Sequence, residues 1–120
     1  MVGAQADPSK RKLNIRADEA ISPEDMQSLI ARIQVEAKKL EPGWVAAIDL
    51  RGVWVSDPNF YEQIKHLQQA LIDLGVRKVG TLIDNYVIQI LLGQAGSRTN
   101  ANMITKRFYT EQEWNQYLDG

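Results

Sequence analysis

The chain has 120 residues, 44% hydrophobic and 24% charged, which matches one soluble domain large enough to bury a core and leaves no room for a second. Its fourteen Lys and Arg are dispersed and balanced by fifteen acids, so the concentrated basic face that nucleic-acid binding needs is absent. No cysteine is present, which excludes disulfides, thiolate metal sites and thiol catalysis. No apolar run approaches the ~20 residues of a membrane span, and the opening MVGAQADPSK lacks the apolar core of a signal peptide, so a cytoplasmic location is expected.

Residues 1–10 are small, polar and Pro-containing, and are expected to stay mobile ahead of a domain spanning 11–120. Lys10, Arg11 and Lys12 form the one consecutive basic triplet and read as part of a solvated tail. Leu13, Ile15 and Ala17 alternate with polar neighbours, the period of a strand with one buried face, suited to a sheet edge. Ser22-Pro23-Glu24-Asp25 is a helix start, with Ser22 as N-cap and acids at the positive end of the helix dipole. Met26, Leu29, Ile30, Ile33, Ala37 and Leu40 follow as one apolar stripe, which Pro42-Gly43 ends.

Val45 to Leu50 is almost continuously apolar, as in a strand covered on both faces, with Asp49 interrupting it near its end. Asp57-Pro58 reads as a second N-cap followed by Pro. Phe60, Ile64, Leu67, Leu71 and Leu74 form the next helical stripe, closed by Gly75 in a left-handed stop. Val79 to Ile83 predicts a third strand, and Asp84 or Asn85 caps a helix from Tyr86 to about Ala95. Gly96 to Asn102 reads as a loop, Met103 to Phe108 as a fourth strand, and Thr110 with Glu113 as a capping box for a last helix carrying Trp114 and Leu118. Four successive β-α units predict a single α/β domain with a mainly parallel sheet and helices packed on it.

The segments PGWVAAIDLRGV, LIDLGVRKVGTLI and FYTEQEWNQYL, in this order, resemble the anti-sigma-factor antagonist (STAS) fold of small bacterial proteins, the sporulation protein AA-like (SpoIIAA-like) group, from Lys12 to Leu118. That resemblance implies a regulatory module that binds a partner protein and is switched by phosphorylation of a Ser in an Asp-Ser-Ser or Asp-Ser-Thr segment. Here Asp57 aligns with the motif's Asp, but Pro58 and Asn59 follow, and neither accepts phosphate. Ser56 is adjacent without matching the switch position.

Parallel sheets bind at the carboxyl ends of their strands, which directs attention to Asp49–Asn59 and Asp84–Tyr86. Asp49, Asp57 and Asp84 make a conceivable carboxylate cluster, but Asp57 and Asp84 are explained as caps. His66, the one histidine, has no catalytic partner at a defined spacing and reads as a wet helical position. Gly93 and Gly96 lie at a helix end rather than in a strand-to-helix phosphate loop. No cofactor and no metal site is expected.

The expected partner-binding residues are Asp49, Arg51, Trp54, Ser56, Asp57 and Asn59. Trp54 is either an aromatic anchor for a partner or part of the core. The segment from Tyr86 is apolar nearly all round, so Tyr86, Val87, Ile90 and Leu91 are the expected self-association surface of a homodimer. The leading reading is thus a non-enzymatic, protein-binding regulatory module without the Ser switch. A carrier of an apolar or lipid-like ligand is the alternative, which a deep cavity would favour, and a small hydrolase or isomerase using Asp49 ranks last.

Overall fold

Leu13, Ile15 and Ala17 are almost inaccessible to solvent, as are Ala46 and Ile48 on the next strand, so the two alternating patterns share one core face. The computed structural model describes residues 2–18, 21–54 and 59–119. Its strands are β1 (Val2–Asp7), β2 (Lys12–Ala17), β3 (Val45–Asp49), β4 (Lys78–Leu82) and β5 (Thr105–Phe108). Its helices are α1 (Pro23–Ala37), α2 (Phe60–Asp73), α3 (Tyr86–Thr99) and α4 (Glu111–Asp119). The sheet order is β1-β2-β3-β4-β5, with β1 antiparallel to β2 and every later pair parallel. The α/β class and mainly parallel sheet expected from the sequence are what forms.

Each parallel crossover moves one strand further in the same direction, so right-handed connections stack α1, α2 and α3 on one face. Their stripes, Met26, Leu29 and Ile33, then Phe60, Ile64, Leu67 and Leu71, then Ile88 and Leu92, close the main core. Among the described residues helix α4 alone covers the other face, where Leu118, Trp114 and Tyr117 pack on Val45 and Ala47. Gly80 makes room for it: a Cβ there would meet Leu118 Cδ2 at 3.1 Å and Tyr117 Cδ2 at 3.2 Å. The Trp114 indole N–H donates to the Gly80 carbonyl at 2.8 Å.

Local capping follows from the sequence in α1, where Ser22 accepts from the Asp25 N–H and Asp25 accepts from the Ser22 N–H, a complete capping box. Gly75 adopts φ +85° after α2, as a helix stop requires.

Four expectations are corrected. Residues 2–7, expected to be mobile, form β1, which makes β2 an interior rather than an edge strand. The reason is that all six residues pair antiparallel with Lys12–Ala17, and two long-range anchors add to that pairing: Ala6 N–H donates to Glu36 Oε1 at 3.0 Å, and Arg32 Nε donates to Ala4 O at 3.3 Å. Helix α2 begins at Phe60 with Asn59 as N-cap, and Asp57, expected in that role, lies outside the described residues. Helix α3 runs past Ala95 to Thr99, and residues 96–99 are helix rather than loop. Gly96 accommodates the Asn102 amide, which donates to Gly93 O at 3.0 Å, and Asn100 in the left-handed region ends the helix. A 3₁₀ turn at Ala101–Met103 delays the last strand to Thr105.

Glu36 is buried, and hydrogen bonds from Lys39 and from the Ala6 amide hold its carboxyl below the ordinary value of 4.5. A carboxyl depressed on folding stabilises the fold above its unfolded pKa, and that contribution is lost as pH falls through the folded value. Urea midpoints should therefore decline as pH drops below about 4.5, with the Ala6 amide losing exchange protection relative to β3 amides. In Glu36→Gln the wild-type excess of stability at neutral pH should vanish and this part of the acid dependence should flatten. An unchanged acid limb in Glu36→Gln would show that the anchor is not what titrates.

Candidate functional site

β3 ends at Asp49, whose side chain lies on the α4 side of the sheet, and the chain turns back over Leu50, Arg51, Gly52 and Val53. The turn closes with Val53 N–H donating to Leu50 O at 3.1 Å, and Gly52 takes φ +86°, a conformation that disfavours any side chain. A Cβ at Gly52 would also stand 3.0 Å from Asp18 O. Arg51 forks onto Asp49, with Nε to Oδ1 at 3.1 Å and Nη2 to Oδ2 at 2.8 Å, while the Arg51 N–H donates to Oδ1 at 3.1 Å. Arg51 Nη2 also reaches Glu111 Oε1 at 3.4 Å, which ties this turn to the start of α4.

Asp84, expected as a helix cap, instead accepts from the Gly52 N–H, at 3.0 Å to Oδ2 and 3.2 Å to Oδ1. Asn85 is the cap, its Oδ1 accepting from Val87 N–H at 2.8 Å. The carboxylates thus splint three loops rather than converge on a ligand. Partial burial works to raise the Asp49 pKa, but Arg51, through side-chain and backbone bonds and charge, outweighs it, with help from Arg16, and the net shift is downward. Held ionised with both oxygens engaged, Asp49 is poorly suited to act as a general base, which calls for a raised pKa. Among the described residues no group of three or more His, Cys, Asp or Glu stands together to hold a metal.

The same end of the sheet carries apolar side chains in water. Trp54, in the turn after β3, is 56% exposed, which separates it from the core. Tyr86, Val87 and Ile90 on the first turns of α3 are also exposed, whereas Ile88 and Leu92 are buried and Leu91 is half-buried against the core. Tyr109, directly after β5, is half exposed and donates through its hydroxyl to Gln89 Oε1. Of the seven large apolar side chains exposed among the described residues, five (Trp54, Tyr86, Val87, Ile90 and Tyr109) belong to this end, with Val35 and Met103 elsewhere. Sequence reading missed Tyr109, whose signal was its place immediately after a predicted strand.

No family model and no curated protein matches the chain. Among solved structures, it is similar to an uncharacterised protein of the DUF3478 family from Shewanella loihica, described as having a SpoIIAA-like fold. The TM-score is 0.70 at 14% identity, over 98% of this chain and 92% of that one.

The fold is SpoIIAA-like.

On this SpoIIAA-like frame the sequence-expected partner-binding residues fall into two groups. Asp49, Arg51 and Trp54 are brought together in one turn, and Asn59 is exposed at the N-cap of α2. Ser56 and Asp57 lie outside the described residues. No helix among the described residues is long and apolar enough to cross a membrane. His66 is exposed on α2, away from the main core stripe.

A carrier of the SpoIIAA-like fold would need a pocket between sheet and helices. The cavity there, bounded by Ile48, Ile64, Leu67, Leu71, Val79 and Leu92, measures about 20 Å³. That is space for about one water and none for a lipid-like ligand, so the described core is filled and the carrier expectation is not supported.

Gly52 gives the site a direct test. Gly52→Ala should cost about 1–3 kcal/mol for a side chain forced to positive φ, with the approach to Asp18 O adding to it. Urea denaturation measures the loss. A variant as stable as the parent would mean that the turn readily adopts another geometry.

Proposed function

We propose that this protein is a non-catalytic regulatory or protein-binding module, acting in the cytoplasm, whose contact surface is the carboxyl end of its sheet. The observation that carries this reading is the gathering of Trp54, Tyr86, Val87, Ile90 and Tyr109 at one end of the molecule, exposed above loops that are themselves cross-tied. Aromatic side chains supply large contact area at low entropic cost, and a rigid base lowers the cost of ordering on binding. Asp49 and Arg51 position the turn that presents Trp54, so they support the surface from below.

Regulation in this reading does not use the Ser switch of the sporulation proteins, because Pro58 and Asn59 follow Asp57 where that family's acceptor would stand. Incubation with an anti-sigma kinase of that family should leave the intact mass unchanged. Stoichiometric gain of one phosphate, lost in Ser56→Ala, would overturn this part of the reading.

The surface itself is tested by comparative capture with the whole chain. A protein that crosslinks to the parent and to Val35→Glu, an exposed apolar position elsewhere, should be lost from the double variant Trp54→Ser/Val87→Glu. Partners retained in full by the double variant would remove the surface from the account.

A second copy of the chain is the occupant suggested by the outer side of α3, whose exposed Val87 and Ile90 make an apolar strip. Sedimentation at micromolar concentration should show a dimer in the parent and a folded monomer in Ile90→Glu. A monomeric parent would leave α3 free for an unlike partner.

A further inference from the structure

The two edges of the sheet are treated differently. At β1 the even-numbered residues turn their backbone groups outward, and α1 meets two of these groups: Glu36 accepts from Ala6 N–H and Arg32 donates to Ala4 O. At β5 no such cover exists among the described residues. Val79 N–H donates to Ile104 O at 2.8 Å and Ile83 N–H to Phe108 O at 2.9 Å, and with the parallel register these bonds fix the phase of the strand. Residues 104, 106 and 108 face β4, so Thr105 and Arg107 direct their N–H and C=O groups, four in all, away from the sheet.

Charge then selects what can pair there. Neither Lys106 nor Arg107 has a carboxylate partner among the described residues: Lys106 lies 5.4 Å above the Tyr117 ring, and Arg107 Nη1 donates to Asn102 Oδ1 at 3.3 Å. Pairing of β5 with a second copy across a two-fold axis would lay these cations against the same two cations, which is destabilising. Lys106 and Arg107 are sequence neighbours and point to opposite faces of the sheet, so an added strand would set two consecutive residues against them.

We propose that the β5 edge receives an extended segment of a partner protein that carries two consecutive acidic residues flanked by β-branched ones. Backbone pairing with Thr105 and Arg107 supplies the attachment, and one acid on each face of the added strand meets Lys106 or Arg107. This edge uses none of the side chains of the aromatic surface, and Trp54→Ser/Val87→Glu leaves it intact, so the two readings fail separately.

The probe is a terminally blocked peptide, Thr-Val-Glu-Glu-Val-Thr, titrated into the full chain and followed by amide NMR and hydrogen exchange. The expected result is saturable binding with new exchange protection at the Thr105 and Arg107 amides and none with the Lys-Lys counterpart. The variant Lys106→Glu/Arg107→Glu, folded by its amide spectrum, should bind the acidic peptide about tenfold more weakly and gain affinity for the Lys-Lys peptide.

Failure to saturate, protection confined to other amides, or equal binding of a peptide N-methylated along its backbone would each overturn the proposal. So would dimerisation of the free protein with Thr105 and Arg107 already protected, because the occupant would then be a second copy.

Discussion

The arrangement depends on a constraint of winding. From β2 to β5 the chain adds strands in one direction only, and right-handed crossovers then force three helices onto a single face. The other face is left to the short helix α4 at the end of the chain, and Gly80 is the position that lets it seat on β4. Sheets that reverse direction open a crevice at the reversal, where small ligands settle. Here the parallel strands never reverse, and their carboxyl ends form a continuous rim on which Trp54, Tyr86 and Tyr109 stand in separate loops. Such a rim suits a broad protein contact better than a small molecule, in keeping with the filled core beneath it.

Stiffness of that rim comes from polar groups that resemble catalytic ones. Asp49 and Asp84 sit where an enzyme of this topology would place its acids, yet one is taken up by the Arg51 fork and the other by the Gly52 amide. Each bond satisfies a backbone or side-chain donor that the tight turn would otherwise leave unpaired.

Elements whose signal is local were legible in the sequence. Ser22 with Pro23 starts α1 and Gly75 stops α2. The alternation of Leu13, Ile15 and Ala17 and the apolar run from Val45 both become core strands, and the SpoIIAA-like resemblance holds as fold. The features that escaped reading depend on partners distant in sequence. VGAQAD has little strand character of its own and is ordered by pairing with β2 and by Glu36 and Arg32, some thirty residues on. The helical state of Gly96 depends on Asn102 occupying the space that a methyl group would take. Asp84 looked like a cap because its true partner, the Gly52 amide, belongs to another loop. The surface was half legible: the crowding of apolar residues from Tyr86 onward showed that some must face water, but only the helix phase tells Val87 and Ile90 apart from Ile88 and Leu92.

The partly engaged β1 edge has a further consequence for how copies of this molecule meet. A sheet whose two edges differ and both stand open can add to its copies side to side without end, the geometry of a filament rather than of a closed oligomer. Growth of that kind needs the β5 side of one copy to find the β1 side of the next. With Ala6 N–H and Ala4 O already engaged by α1, two of the groups that a receiving side would offer are taken, so two side chains on one helix work against such growth.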